Sequence, residues 1–346
     1  MKTATELARP NIAALKPYSS ARDEYQGKDA RVFLDANENP YNAPLNRYPD
    51  PLQRDVKAIV SEIKGVAASR IFLGNGSDEA IDLMFRIFCE PGRDNVVAME
   101  PTYGMYRVCA DINDVEYRAV NTDGSFQPDV DAMLGSADAN TKLMFFCSPN
   151  NPSGNLVRRE LIIKALDNFE GIVIIDEAYT DFAPGTSMAG LIDTYPNLVI
   201  LQTFSKAWGL AGVRLGMAFA QEETIGLMNR VKYPYNVNHL TQQAALEQLE
   251  SADKVSGWVS AIISERGRLE NRLAGLGGMT VFPSDANFLL VRMENATRVY
   301  NYLVDNGIIV RNRSRITLCG DSLRITVGTP AEDDELLKCL TEYYNR

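Results

Sequence analysis

Five times between residues 71 and 206 this sequence runs an apolar stretch straight into a polar or glycine-rich turn. Residues 71–73 lead to Gly74-Asn-Gly-Ser-Asp78, residues 96–99 to Pro101-Thr-Tyr103, and residues 143–146 to Cys-Ser-Pro-Asn-Asn151. Residues 172–175 end in Asp176-Glu-Ala-Tyr179, and residues 199–201 in Thr203-Phe-Ser-Lys206. Short apolar runs bounded by turn signals read as buried strands, and the amphipathic segments between them as helices. Strands alternating with helices from about 71 to 220 predict an α/β fold with a mostly parallel central sheet covered by helices. Open sheets of that kind take ligands beyond the carboxyl ends of their strands, so the five turns are where chemistry should collect.

The rest of the chain divides around this core. At 346 residues it exceeds one average domain. Residues 1–30, with Pro10, Pro17 and the polar run 19–24, read as an N-terminal arm, extended with at most a short helix. Residues 32–34 read as a short strand, 35–50 as an ordered Asn- and Pro-rich loop, and 52–63 as a helix. Residues 31–240 then form a large domain. From about 241 a long helical stretch leads into a smaller α+β domain, 241–346, with strands expected at 279–282, 288–291, 308–311 and 323–327 and helices near 297–305 and 332–343.

Composition removes several kinds of chemistry. A formal net charge of −10 argues against a nucleic-acid partner. The single histidine, His239, leaves no His-based metal site or Ser-His-Asp triad, and no metal is expected. Five scattered cysteines without a Cys-x-x-Cys pair read as free thiols. No apolar run is long enough to span a membrane, and the N-terminus lacks a signal-like apolar segment, so a cytoplasmic protein is expected.

What remains is Lys, Asp, Tyr and Arg, or a cofactor. Lys206 stands beside the hydroxyls of Thr203 and Ser205, with Arg214 eight positions on. That set suits a ligand carrying a carbonyl for the amine and a phosphate for the hydroxyls and guanidinium, and pyridoxal 5′-phosphate carries both. The same four residues also make an ordinary polar loop. Gly76-Ser77-Asp78 opens a helix, where free amides favour an anion, although Ser77 or Asp78 as a plain helix cap reads equally well. Tyr103 beyond its strand could stack on a flat ring or simply fill core. Asp176, at the end of a buried strand, needs a partner, and a protonated pyridine nitrogen is a fitting one.

Taken together and in this order, the segments resemble the fold-type-I pyridoxal-phosphate aminotransferases over nearly the whole chain. The residues that carry the resemblance are Asn151-Pro-Ser-Gly, Asp176-Glu-Ala-Tyr179 and Ser205-Lys-Ala-Trp-Gly-Leu-Ala-Gly-Val-Arg214. The resemblance implies that Lys206 holds the cofactor and moves the substrate proton, and that Asp176 holds the pyridine nitrogen. It also implies that Asn151 and Tyr179 hold the ring 3′-oxygen and that Tyr103 stacks on the ring. Thr203, Ser205, Arg214 and the amides around Gly76, Ser77 and Asp78 then hold the phosphate, with Tyr48 reaching it from a second subunit of a homodimer. Further segments are similar to the histidinol-phosphate aminotransferase family: Lys16-Pro-Tyr18, Leu34-Asp-Ala-Asn37-Glu-Asn-Pro, Asn46-Arg-Tyr48-Pro, Gly307-Ile-Ile-Val-Arg311 and Leu323-Arg324-Ile-Thr-Val-Gly. That resemblance puts Tyr18, Asn37, Arg311 and Arg324 on the substrate, the arginines gripping its anionic end, with small-molecule substrates L-histidinol phosphate and 2-oxoglutarate or glutamate. Arg313 and Arg315 lie so close to Arg311 that the sequence leaves open which of the three faces inward. Threonine-phosphate decarboxylases and aromatic amino acid aminotransferases share much of the same machinery; the N-terminal arm favours the histidinol-phosphate family.

Overall fold

The structure is a computed structural model describing residues 2–18 and 31–345; the polar run at 19–24 lies outside the described residues. The apolar runs form seven strands: β1 (Ile71–Asn75), β2 (Asn95–Glu100), β3 (Glu116–Asn121), β4 (Thr141–Cys147), β5 (Ile172–Asp176), β6 (Leu198–Thr203) and β7 (Leu215–Phe219). They lie in the order β1-β7-β6-β5-β4-β2-β3. Strands β2 to β6 pair in parallel, whereas β7 is antiparallel to both neighbours, β1 and β6. Because side chains alternate along a strand, Val97, Met144, Phe146, Val173 and Ile175 fill one core, while Val96, Phe145, Ile172 and Ile174 fill the other. Both faces are dry, which is why these strands read as continuous apolar runs. Each such side chain contributes about 1.5–3 kcal/mol by leaving water.

Helices cover the sheet. At the N-terminus two one-turn helices, α1 (Ala4–Leu7) and α2 (Pro10–Ala13), stand where an extended arm with at most one short helix was expected. A Thr3/Glu6 capping box starts the first and proline at the first helical position starts the second. The arm is also pinned, with the Ala4 and Thr5 amides donating to the Glu223 carboxylate. The strand expected at 32–34 does not form: these residues are exposed, Leu34 at 91%, and no sheet edge pairs with them. Helix α3 is Arg54–Lys64, starting two residues later than the periodicity suggests because Asp50 accepts from the Leu52 and Arg54 amides and holds the intervening turn, with Gln53 left-handed.

Helices α4 (Ser77–Phe88), α5 (Met105–Ile112) and α8 (Glu222–Val231) pack on the second core, and α3, α6 (Val130–Gly135) and α7 (Arg159–Asn168) on the first. Beyond them, α9 (His239–Leu249) and the long α10 (Ala252–Ala274) lead to a second sheet. Its antiparallel strands β8 (Met279–Val281), β9 (Phe288–Met293), β10 (Arg311–Asn312) and β11 (Ser322–Thr326) run in the order β10-β11-β9-β8, backed by α11 (Ala296–Asp305) and α12 (Pro330–Tyr344). The last turns of α10, with Leu269 and Leu273, share that core. The two sheets meet where the Asp285 amide donates to the Gly154 carbonyl at 2.8 Å. Gly154 has φ +88°, and a Cβ there would stand 2.8 Å from the Ser284 Cβ. No helix among the described residues is long and apolar enough to cross a membrane.

Candidate active site

Strand β6 delivers Lys206. The chain turns after Thr203, whose Oγ1 accepts from the Ser205 amide at 3.1 Å, and the Gly209 amide returns to the Lys206 carbonyl at 3.2 Å. The turn feeds β7 through Arg214, left-handed at φ +59°, a conformation uncommon outside glycine. The Gly76 amide holds that backbone by donating to the Arg214 carbonyl at 2.9 Å. The guanidinium folds back, its Nη1 3.5 Å from Ser205 Oγ and its Nη2 3.6 Å from Asp78 Oδ2.

Strand β1 delivers Gly76, Ser77 and Asp78. Gly76 has φ +75°, and no side chain caps α4, so the plain-cap alternative is not what forms. The first-turn amides stay open at the positive end of the helix, an arrangement that favours an anion. Asp78 is engaged instead with Tyr103, whose hydroxyl donates to Oδ1 at 3.1 Å.

Strand β5 delivers Asp176, 2% exposed. Its Oδ1 accepts from the Ala178 amide at 3.0 Å and its Oδ2 from the Tyr106 hydroxyl at 2.8 Å. Burial outweighs both bonds and pushes the acid up to about 6. Just past β4, Asn151 donates through Nδ2 to the Tyr179 hydroxyl at 3.4 Å, and its Oδ1 accepts from Arg324 Nη1 at 2.5 Å. Lys206 Nζ lies 5.7 Å from the centroid of the Tyr179 ring. Its ammonium is held below its usual range, first by loss of water against the cleft walls and then by the Arg324 guanidinium, with Arg214 adding to the effect and Asp176 opposing it.

One cavity is therefore lined by Gly76, Ser77, Asp78 and Tyr103 from one side, Asn151, Asp176 and Tyr179 from another, and Thr203, Ser205, Lys206 and Arg214 from the third. Lys206, Tyr103, Asn151 and Tyr179 also line a neighbouring cleft of about 580 Å3, together with Arg311, Arg313 and Arg324. Tyr48, Tyr18 and Asn37 are not brought there within one chain. Tyr48 is half exposed and stacks on Tyr235 at 4.5 Å, in a separate groove it shares with Asn37; Tyr18 is 72% exposed.

Sequence reasoning overlooked one residue and left another open. Tyr106, which holds Asp176, lies in the first turn of α5 three positions after Tyr103, and a buried tyrosine in a helix reads as core. Of the three arginines the sequence left open, Arg311 and Arg313 line the cleft and Arg315 does not, because the chain leaves the ladder after Arg313.

A lysine at the end of a parallel sheet, a buried acid opposite it and an uncapped helix terminus define an enzyme built to hold a phosphate-bearing aldehyde. Open amides, two hydroxyls and a guanidinium suit the phosphate, and Asp176 suits a protonated ring nitrogen, so the residues fit pyridoxal phosphate. The chain belongs to the aminotransferase class I and II family, whose model matches residues 24–340. It is 61% identical to a histidinol-phosphate aminotransferase of Bacteroides fragilis over 344 residues, covering 99% of this chain and 100% of the relative. Among solved structures it matches the histidinol-phosphate aminotransferase of Clostridium acetobutylicum with a TM-score of 0.80 at 25% identity, over 87% of this chain and 91% of that one. The fold also matches the histidinol-phosphate aminotransferase of Sinorhizobium meliloti solved with pyridoxal-5′-phosphate, at a TM-score of 0.80 and 23% identity over 86% and 83% of the two chains. The protein is a pyridoxal-phosphate-dependent aminotransferase.

Proposed function

We propose that this aminotransferase exchanges the amino group between L-histidinol phosphate and 2-oxoglutarate, in the histidine biosynthetic direction consuming glutamate and imidazole-acetol phosphate by a ping-pong course. The observation that carries the reading is a pair of guanidiniums: Arg311 and Arg324 face each other in register across β10 and β11 at the cleft that Lys206 lines. Like charges directly opposite destabilise a sheet, and an anionic substrate end removes that repulsion. Each planar fork accepts a carboxylate or a phosphate, so one grip serves both substrates.

Bound in the cavity, pyridoxal phosphate supplies an aldehyde for the amino group and a ring that draws off the electrons released at Cα. The protein does the rest. Lys206 takes the proton from substrate Cα and returns it at the cofactor C4′, a task suited to an amine below its usual pKa. Asp176 keeps the ring nitrogen protonated, while Asn151 and Tyr179 hold the 3′-oxygen and Tyr103 covers the ring. The Ser77 and Asp78 amides, Thr203, Ser205 and Arg214 hold the phosphate. Tyr48, exposed in one chain, reaches the phosphate of a second, which makes the enzyme a homodimer with shared sites, and Tyr18 and Asn37 close on the substrate. The cytoplasmic setting and the division into an arm (1–30), a large unit (31–240) and a small unit (241–346) belong to the same proposal.

Purified enzyme given L-histidinol phosphate and 2-oxoglutarate should form glutamate, and L-threonine phosphate given in parallel should release no CO2. Release of CO2 without glutamate would move the assignment to a decarboxylase that uses the same cofactor residues.

A further inference from the structure

Resting on that reading of the substrate, we propose that Arg313 is a third arm of the anion grip, engaged by a phosphate and dispensable for a carboxylate. The backbone places it there. Arg311 pairs with Arg324 across the two strands, and the Arg313 amide continues the same ladder by donating to the Ser322 carbonyl at 2.8 Å. Side chains two residues apart on a strand share a face, so Arg311 and Arg313 point the same way, into the cleft that also holds Arg324 and Lys206. The chain then leaves the ladder. The Ser314 amide turns back to Asn312 Oδ1 at 2.9 Å, and Arg315 is exposed and does not line the cleft.

Three guanidiniums therefore line one cleft; Glu100 lines it too but forms no ion pair with any of them. None of Arg311, Arg313 and Arg324 has a carboxylate within ion-pair reach among the described residues, and the Nε atoms of Arg313 and Arg324 are both buried without a hydrogen-bond partner. Loss of water and the two neighbouring arginines all act to depress the Arg313 cation. A buried, unpaired charge is costly to keep unless a ligand pairs it.

The chemistry of the two substrates separates the roles. A carboxylate has two oxygens and one charge, which two forks satisfy. A phosphate monoester carries about 1.5 to 2 charges at neutral pH on three terminal oxygens, and the third oxygen needs a third donor. Arg313 supplies it, so the grip distinguishes the phosphate-bearing substrate from glutamate instead of treating both alike.

The test separates the two half-reactions in single turnovers. Arg313→Gln should raise KM for histidinol phosphate on the order of tenfold, the size expected for one charge-assisted hydrogen bond, with KM for glutamate and both maximal rates little changed. Arg313→Lys should restore part of the loss, and Arg315→Gln should behave as the unaltered enzyme. Equal losses for both substrates, or no loss with histidinol phosphate, would overturn the role. Inorganic phosphate keeps this independent of the substrate assignment. Its competition against glutamate should weaken about tenfold in Arg313→Gln even if the unaltered enzyme forms no glutamate from histidinol phosphate; unchanged competition counts against Arg313 itself.

Discussion

The hydroxyl of Tyr106 donates to Oδ2 of Asp176 at 2.8 Å, and the two side chains are 0% and 2% exposed. Tyr106 is fixed by stacking on Phe145 at 4.7 Å and by the edge of Tyr103 at 5.6 Å, so its oxygen is held against the carboxylate. It holds down an acid that burial alone would lift further. Tyr106→Phe removes a hydrogen bond to a charged group, an effect of roughly 1.5–3 kcal/mol. The Asp176 acid should then titrate about one to two units higher, read as a shift in the pH at which its carboxyl C=O infrared band appears in the cofactor-free protein. Cofactor affinity should fall roughly tenfold, following the same lost bond. An unmoved infrared titration would remove Tyr106 from any role in setting this acid.

Asp176 also makes stability depend on pH. Its folded pKa, about 6, lies above the ordinary 3.8. The folded state therefore binds its proton more tightly, and the stabilisation this gives is full below pH 3.8 and lost as pH rises through 6. Two units correspond to about 3 kcal/mol. Asp176→Asn keeps the shape without the charge, and the Tyr106 hydroxyl can rotate to accept from the new amide. The cofactor-free variant should resist urea better than the unaltered protein at pH 8 and no better at pH 4, while losing transamination. A gain of equal size at both pH values would show that the buried charge is not the cause.

Lys206→Ala removes the only amine that lines the cavity among the described residues. Because its surroundings already disfavour the ammonium, folding should not suffer, but transamination should fall by several orders of magnitude, as expected when both the covalent anchor and the proton carrier are lost. The bound cofactor's visible absorbance should change with it. Full activity in this variant would sink the mechanism.

How much of this was legible beforehand follows from where each signal resides. Lys206, Asp176 and Asn151 were readable because each ends a buried strand or stands in the turn just after one, and the strand is visible as an apolar run. Strand β7 was harder: it follows the Lys206 turn within nine residues, and its antiparallel return leaves no helix to announce it. Residues 32–34 look like a strand locally, yet a strand needs an edge to pair with, and no three-residue run carries that information. Tyr106 was hidden for a related reason. A buried tyrosine in a helix reads as core, and only the folded chain shows that its hydroxyl reaches a strand seventy residues away. Tyr48 is a different matter, since its place in one chain does not bring it to Lys206 at all.

Gly216 ties the lysine turn to the phosphate end. It opposes Gly74 and Thr203 in the sheet, and a Cβ there would be driven into the Ser77 amide nitrogen and stand 2.9 Å from the Gly76 Cα. The obstacle is backbone, which cannot swing aside. Gly216→Ala should lower stability by about 1–3 kcal/mol and, by displacing the Ser77 amide, weaken cofactor binding by more than its effect on folding predicts. Equilibrium unfolding and cofactor titration on the same preparation separate the two, and unchanged cofactor affinity would show that the amide is not part of the cradle.

Arg324 differs from its neighbours in reaching two groups at once. Its Nη1 donates to Asn151 Oδ1 at 2.5 Å, and its guanidinium lies over the Phe288 ring at 5.2 Å, so it is packed as well as charged. Arg324→Ala should therefore weaken glutamate and histidinol phosphate together, each on the order of a hundredfold in kcat/KM, as expected for a charged hydrogen-bonding partner of the substrate. It should also free Asn151, whose amide otherwise has a fixed orientation toward Tyr179. Arg324→Lys should recover little, because a point charge cannot span both the substrate and Asn151. Half-reaction kinetics with each substrate decide the matter: a loss confined to one of them would mean that the two anions do not share this arginine.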